Sequence, residues 1–176
     1  MNTDNYMDNP YYLDKFERAA AQLDRRLLLQ HQMECKAGVW LRSVAFKMQK
    51  ESWVNPTTTP LSFQESIFFP VWLNEEAIQA GQLYYNIHAL KLRQLAGYSI
   101  QSRDFAADFQ VRSEPFAKDW PNVDLDFGPL TLMQGWVETN LDDFDTVIPD
   151  LAGKFLKTAQ IIDELLAERK KRGTLK

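Results

Sequence analysis

Cysteine, glycine and histidine are all scarce in this chain, and each scarcity removes a class of chemistry. Cys35 is the only cysteine, so an intramolecular disulfide and a cysteine-based metal cluster are both excluded, as suits a reducing interior. Neither a histidine nor a second cysteine lies near it in sequence, so it reads as a small structural residue rather than a reactive thiol. Seven glycines leave little material for phosphate-cradling loops, and G-x-S-x-G, the P-loop and G-x-G-x-x-G are all absent. Nucleotide hydrolysis and dinucleotide redox chemistry lose their usual scaffolds. With only two histidines, His31 and His88, a metal site would have to draw most of its ligands from carboxylates. No cofactor is implied.

Long apolar runs and an excess of cations are missing too. Nothing approaches the roughly 20 apolar residues of a membrane helix. The first residues, MNTDNYMDNP, lack the basic start and apolar centre of a secretory signal. A cytoplasmic chain without membrane partners is expected. The net charge of −4 opposes broad electrostatic capture of nucleic acid, which needs an excess of Lys and Arg. The basic run Arg169 to Arg172 reads as a solvated helix end. What is present is a globular composition, 45% hydrophobic and 25% charged over 176 residues, enough for one core. The expected organisation is a mobile lead over 1–9, one α+β domain over 10–172, and a tail over 173–176.

Hydrophobic periodicity orders the elements. Tyr12, Phe16, Ala19, Ala20, Leu23 and Leu27 recur at helical spacing and predict a helix over about 10–36, opened by Asn9-Pro10 and stopped by Gly38. The period then changes to two. Over 39–53, Trp40, Val44, Phe46 and Met48 share one parity against Ser43, Lys47, Gln49 and Glu51. A loop carrying Pro56 and Pro60 leads to a second strand, with Ile67, Phe69, Val71 and Leu73 inward and Phe68, Pro70 and Trp72 opposite. Pro70 marks that strand as an edge or a bulge. The third, QLYYNIHALKL over 82–92, is the most informative: Leu83, Tyr85, Ile87 and Ala89 form a core face, and Tyr84, Asn86 and His88 a row of hydrogen-bonding groups.

A short helix follows, with Ser102 as its cap and Phe105, Ala106 and Phe109 on it, then a further turn at Ser113-Glu114-Pro115. VDLDF over 123–127 and LTLMQGWVETN over 130–140 read as two more strands. A long C-terminal helix begins among Asp142, Asp143 and Asp145, is begun or kinked by Pro149, and carries Leu151, Phe155, Ala159, Ile162 and Leu166 as its stripe. The fold class is therefore α+β: an antiparallel five-stranded sheet packed by long N- and C-terminal helices, in the order α-βββ-α-ββ-α.

If parity holds, one sheet face is left to function. Trp53, Trp72, Tyr84, Asn86, His88, Gln134 and Trp136 form the candidate binding set, with Lys47, Gln49 and Phe68 nearby. Aromatic walls beside a few amides and an imidazole suit a small-molecule site, and Trp and Tyr also favour protein contacts. A non-enzymatic module follows, one that binds a partner chain, first of all a second copy of itself to give a homodimer, or else a small ligand. His88 reads as a hydrogen-bonded strand residue before a catalytic one. The acidic residues Asp124, Asp126, Glu138, Asp142, Asp143 and Asp145 lack EF-hand spacing and read as solvation and helix capping.

The element order is also similar to the core of the PD-(D/E)XK nucleases, which hold a metal ion with an acid on the second strand and an acid-x-lysine pair on the third. That resemblance implies a metal-dependent nuclease carried by Glu65, His88 and Lys91. The residue two before Lys91 is Ala89, so the acid of the pair is missing. Element order alone covers about half the chain.

Overall fold

The computed structural model describes residues 8–62, 65–140 and 142–172. Most of the anticipated lead and tail, 1–7 and 173–176, lies outside the described residues. Five antiparallel strands form one sheet in sequential order, β1 (Met33–Trp40), β2 (Ser43–Lys50), β3 (Ser66–Leu73), β4 (Gln82–Leu90) and β5 (Thr131–Glu138). Helices α1 (Asn9–Ala21) and α2 (Arg25–Gln30) precede it, α3 (Glu75–Ala80) and α4 (Ser102–Ser113) lie within it, and α5 (Phe144–Glu168) closes it. The expected class, an α+β fold with one antiparallel sheet and helices at both termini, is what the chain adopts.

Period-two alternation sorts the sheet as anticipated. Val44, Phe46 and Met48, then Ile67, Phe69, Val71 and Leu73, then Leu83, Tyr85, Ile87 and Ala89 are all buried in one core, which removes their apolar surface from water. Helix α5 supplies the other half: Leu151, Phe155, Ala159, Ile162 and Leu166 are buried in the same cluster. The Phe155 ring stacks on Phe69 with centroids 4.6 Å apart. Pro149 lies inside α5 rather than at its start.

Several local expectations change. The first helix stops at Ala21, because Asp24 caps a separate short helix by accepting from the Arg26 amide at 2.9 Å. Gln32 then adopts φ 54° and turns the chain into β1. The long strand expected over 39–53 is the end of β1, a two-residue turn and β2. That turn is Leu41-Arg42, with Leu41 at φ 55°, a conformation usually given to Gly or Asn. The hairpin inverts the parity of Trp40, which pairs with Ser43 and joins the face away from the helices. Pro70 occupies the central strand rather than an edge: β3 pairs with β2 from Phe69 to Leu73, and its pairing with β4 lapses at Phe69 and Pro70, where the missing N–H belongs. VDLDF makes a single bridge, Asp124 with Gln134. The Asp124 carboxylate accepts from the Asp126 amide at 2.8 Å, an Asx turn that bends the chain out of register.

The C-terminal cations are not simply solvated. Arg169 bonds Asp108 and the Leu165 carbonyl and covers Phe105. The Lys171 amide donates to Gly97 at 2.9 Å. Together these tie the end of α5 to α4 and to the loop before it.

Candidate functional site

The helix-free face of the sheet divides into two parts. Around β4 and β5 lies a satisfied polar network. The Asn86 side chain, 2% exposed, accepts from the Trp72 indole and donates to Gln134 Oε1 at 2.8 Å. Trp72 stacks on Tyr84 with centroids 4.8 Å apart and planes 18° from parallel. The Tyr84 hydroxyl donates to Gln82 at 2.9 Å. Both polar ends of the Asn86 amide are used, so the network is a support: it pins the Trp72 indole from two sides.

Around β1, β2 and β3 lies an open groove of about 350 Å³. Trp40, Lys47, Phe68, Pro70, Trp72 and His88 line it, with Leu41, Ser43, Ala45, Leu90 and Thr131. Register builds it: Lys47 pairs with Pro70, Ala45 with Trp72, and Phe68 with His88. Trp40 reaches in from the hairpin end by folding its indole back over Gly38, where a Cβ would lie 2.9 Å from the ring. A bulge shapes the far wall. Between Ile87 and His88 the β4–β5 register slips by one, so that Ile87 faces Met133 but His88 faces Thr131. The slip puts a hydroxyl opposite the imidazole where regular pairing would put Leu132, and Thr131 Oγ1 lies 3.2 Å from His88 Nδ1. Bulges re-aim side chains in this way.

Lys47 is the anomaly of the groove. It is 6% exposed, yet among the described residues it has no carboxylate partner and no hydrogen bond. Its ammonium rests on two rings, 4.1 Å from the Trp40 centroid and 5.2 Å from that of Phe68. Burial pulls its pKa down to about 8. His88 packs against Phe68 at 5.2 Å. Its pKa falls to about 4, through burial first and the nearby Lys47 charge second. A neutral imidazole beside one cation gives the groove a single positive charge at pH 7. That imidazole is a hydrogen-bonding group rather than a proton donor at this pH.

Of the seven anticipated residues, the structure brings Trp72 and His88 to the groove and sets Tyr84, Asn86 and Gln134 in the network beside it. Trp136 shares that face across from Tyr84, and its carbonyl accepts from Asn122 at 3.0 Å. Trp53 does not belong: it is fully buried in a short 3-10 helix on the core side, its indole donating to Asp163 at 2.8 Å and packing on Phe69. The strand parity that would have faced it outward ends at Lys50. Gln49 keeps the expected parity but is consumed structurally, bonded to Leu61 and Glu65 of the following loop and to Ile67 of β3. Trp40 and Thr131 were missed, one because of the Leu41 turn and the other because of the bulge.

The residues of the nuclease alternative are divided. Lys91 and Glu65 pair at 3.4 Å and line a crevice with Asn55, whereas His88 lines the groove. No group of three or more His, Cys, Asp and Glu among the described residues is placed to hold a metal ion. No helix among the described residues is long and apolar enough to cross a membrane. Comparison with known proteins gave no match to a family model, to a curated protein or to a solved structure.

Proposed function

We propose that the chain is a small-ligand-binding module and that the groove between Trp40, Phe68 and Trp72 is its site. The observation that carries this reading is the way the aromatic residues are spent. Trp72 is locked edge and face by Asn86 and Tyr84, and Trp40 is folded over Gly38 toward Lys47. These rings stand as fixed walls around a cavity instead of lying flat and exposed. A protein-contact face would present its large apolar side chains outward. The large apolar residues exposed among the described ones include none of Trp40, Phe68 and Trp72; of the groove lining only Leu41, at the hairpin tip, is among them. A volume of about 350 Å³ is at the small end of ligand sites, which span about 300–1,000 Å³.

The test is a titration of small aromatic probes followed by the indole N–H resonances of the five tryptophans. Trp40 and Trp72 should shift saturably, and Trp53, sealed in the core, should not. Trp72→Ala should abolish the shift at Trp40 while the circular dichroism stays native. Light scattering supplies the contrary outcome. A dimer weakened by Trp72→Ala, with no probe shifting any indole, would replace ligand binding by self-association.

A further inference from the structure

Lys47 narrows the ligand class, on the reading that the groove is a ligand site. An ammonium withdrawn from water without a counter-charge is costly, and such groups are ordinarily paired. Two ring faces offset part of that cost. The other charged and titratable groups facing Lys47 do not supply a counter-anion. From β1, Lys36 sits directly across from it and is exposed, and Glu34, exposed two pairs further along, makes no ion pair with it. From β4 comes His88, neutral at pH 7. β3 contributes Phe68, Pro70 and Trp72. Like charges placed directly across a sheet repel, so the Lys36–Lys47 pair adds to the positive potential over the groove.

We propose that the groove binds a small planar monocarboxylate, with its carboxylate on Lys47 Nζ and its ring held among Trp40, Phe68 and Trp72. One buried cation matches one negative charge, and a charge-assisted bond is stronger than a neutral one. A phosphate dianion asks for several donors, and the rest of this lining is apolar apart from Ser43, His88 and Thr131. Flat aromatic walls favour a flat guest by offset or edge contacts.

Benzoate, benzamide, acetate and inorganic phosphate distinguish the components. Benzoate is expected to bind at least about tenfold tighter than benzamide, and tighter than acetate or phosphate. Lys47→Met, which keeps the stem and removes the charge, should weaken benzoate by about tenfold and leave benzamide unchanged. Benzoate affinity should also fall as pH rises above about 8, where free Lys47 loses its proton. Native circular dichroism of Lys47→Met, with Lys47→Arg as a second variant that keeps the charge, guards against misfolding. Equal binding of benzoate and benzamide, or indifference to Lys47→Met, overturns the carboxylate proposal while leaving the groove as a site. Acetate or phosphate binding as tightly as benzoate overturns the aryl component. Failure of all four probes overturns the proposal together with the groove reading.

Discussion

Lys47→Met should stabilise the protein at neutral pH. The lysine ionises at about 8 in the folded chain against 10.5 for a free side chain. A displacement of that size corresponds to about 3 kcal/mol of penalty on the charged folded form. The rings of Trp40 and Phe68 return about 0.5–1 kcal/mol each, which leaves a net gain of about 1–2 kcal/mol for an apolar side chain of similar length. In a domain of this size that raises Tm by about 2–4 °C per kcal/mol. The pH dependence has a definite sign. Between pH 8 and 10.5 the unfolded chain holds a proton that the folded chain has released, so wild-type stability rises through that window and the advantage of the mutant shrinks. Tyr85 acts oppositely above pH 10, since burial raises its pKa, but it is present in both proteins and cancels in the difference. Urea denaturation of both proteins at pH 7, 8, 9 and 10 measures the difference. A mutant less stable than wild type at pH 7, or a difference constant from pH 7 to 10, would refute a buried, unpaired ammonium.

His88 should make the protein sensitive to mild acid. Its folded pKa of about 4 lies below the ordinary 6.5, so the unfolded state takes up the proton first and about 3 kcal/mol is lost between pH 6.5 and 4. The contribution is complete above pH 6.5, and His88→Phe should remove that slope in acid denaturation curves. Two glycines should respond in opposite directions to alanine. At Gly135 a Cβ would overlap the Tyr85 phenol, whose hydroxyl donates to Pro121 at 2.6 Å, so Gly135→Ala should cost at least about 1–3 kcal/mol in chemical denaturation. Gly153, mid-helix in α5 with open space around its Cα, should gain about 0.5–1 kcal/mol as alanine. Asp163→Ala removes the partner of both Trp53 and Lys50 and should cost about 1–3 kcal/mol, read by the same method. No loss there would mean that the buried indole finds another acceptor.

Period two was legible wherever consecutive residues obeyed it without interruption. β3 and β4 alternate cleanly, and their inward and outward residues were assigned from the sequence alone. Legibility failed where one residue changed the count. Leu41 in the left-handed region makes a hairpin without the Asn or Gly that usually announces one, and Trp40 was therefore placed in the core. A single bulge residue opposite β4 brought Thr131, rather than Leu132, to His88. The helix expected to reach residue 36 failed because Leu27, Leu28 and Leu29 continue the apolar pattern past a real boundary, which only the Asp24 cap marks. VDLDF alternates as a strand should, but the side chain of Asp124 competes for the backbone and wins. Lys47 was visible on the open face, but nothing in the local sequence says that a lysine between Phe46 and Met48 is buried without a partner. That follows from Trp40 and Phe68, one across the Leu41 turn and the other on a different strand.

Direct titration of the Lys47 side chain, selectively labelled and followed by heteronuclear NMR, decides whether the helix-free face encloses a lone cation. A pKa near 8 that climbs when benzoate is added is the predicted result. A pKa near 10.5, unmoved by benzoate, would mean an ammonium that stays in water, and neither the groove chemistry nor its proposed guest would stand.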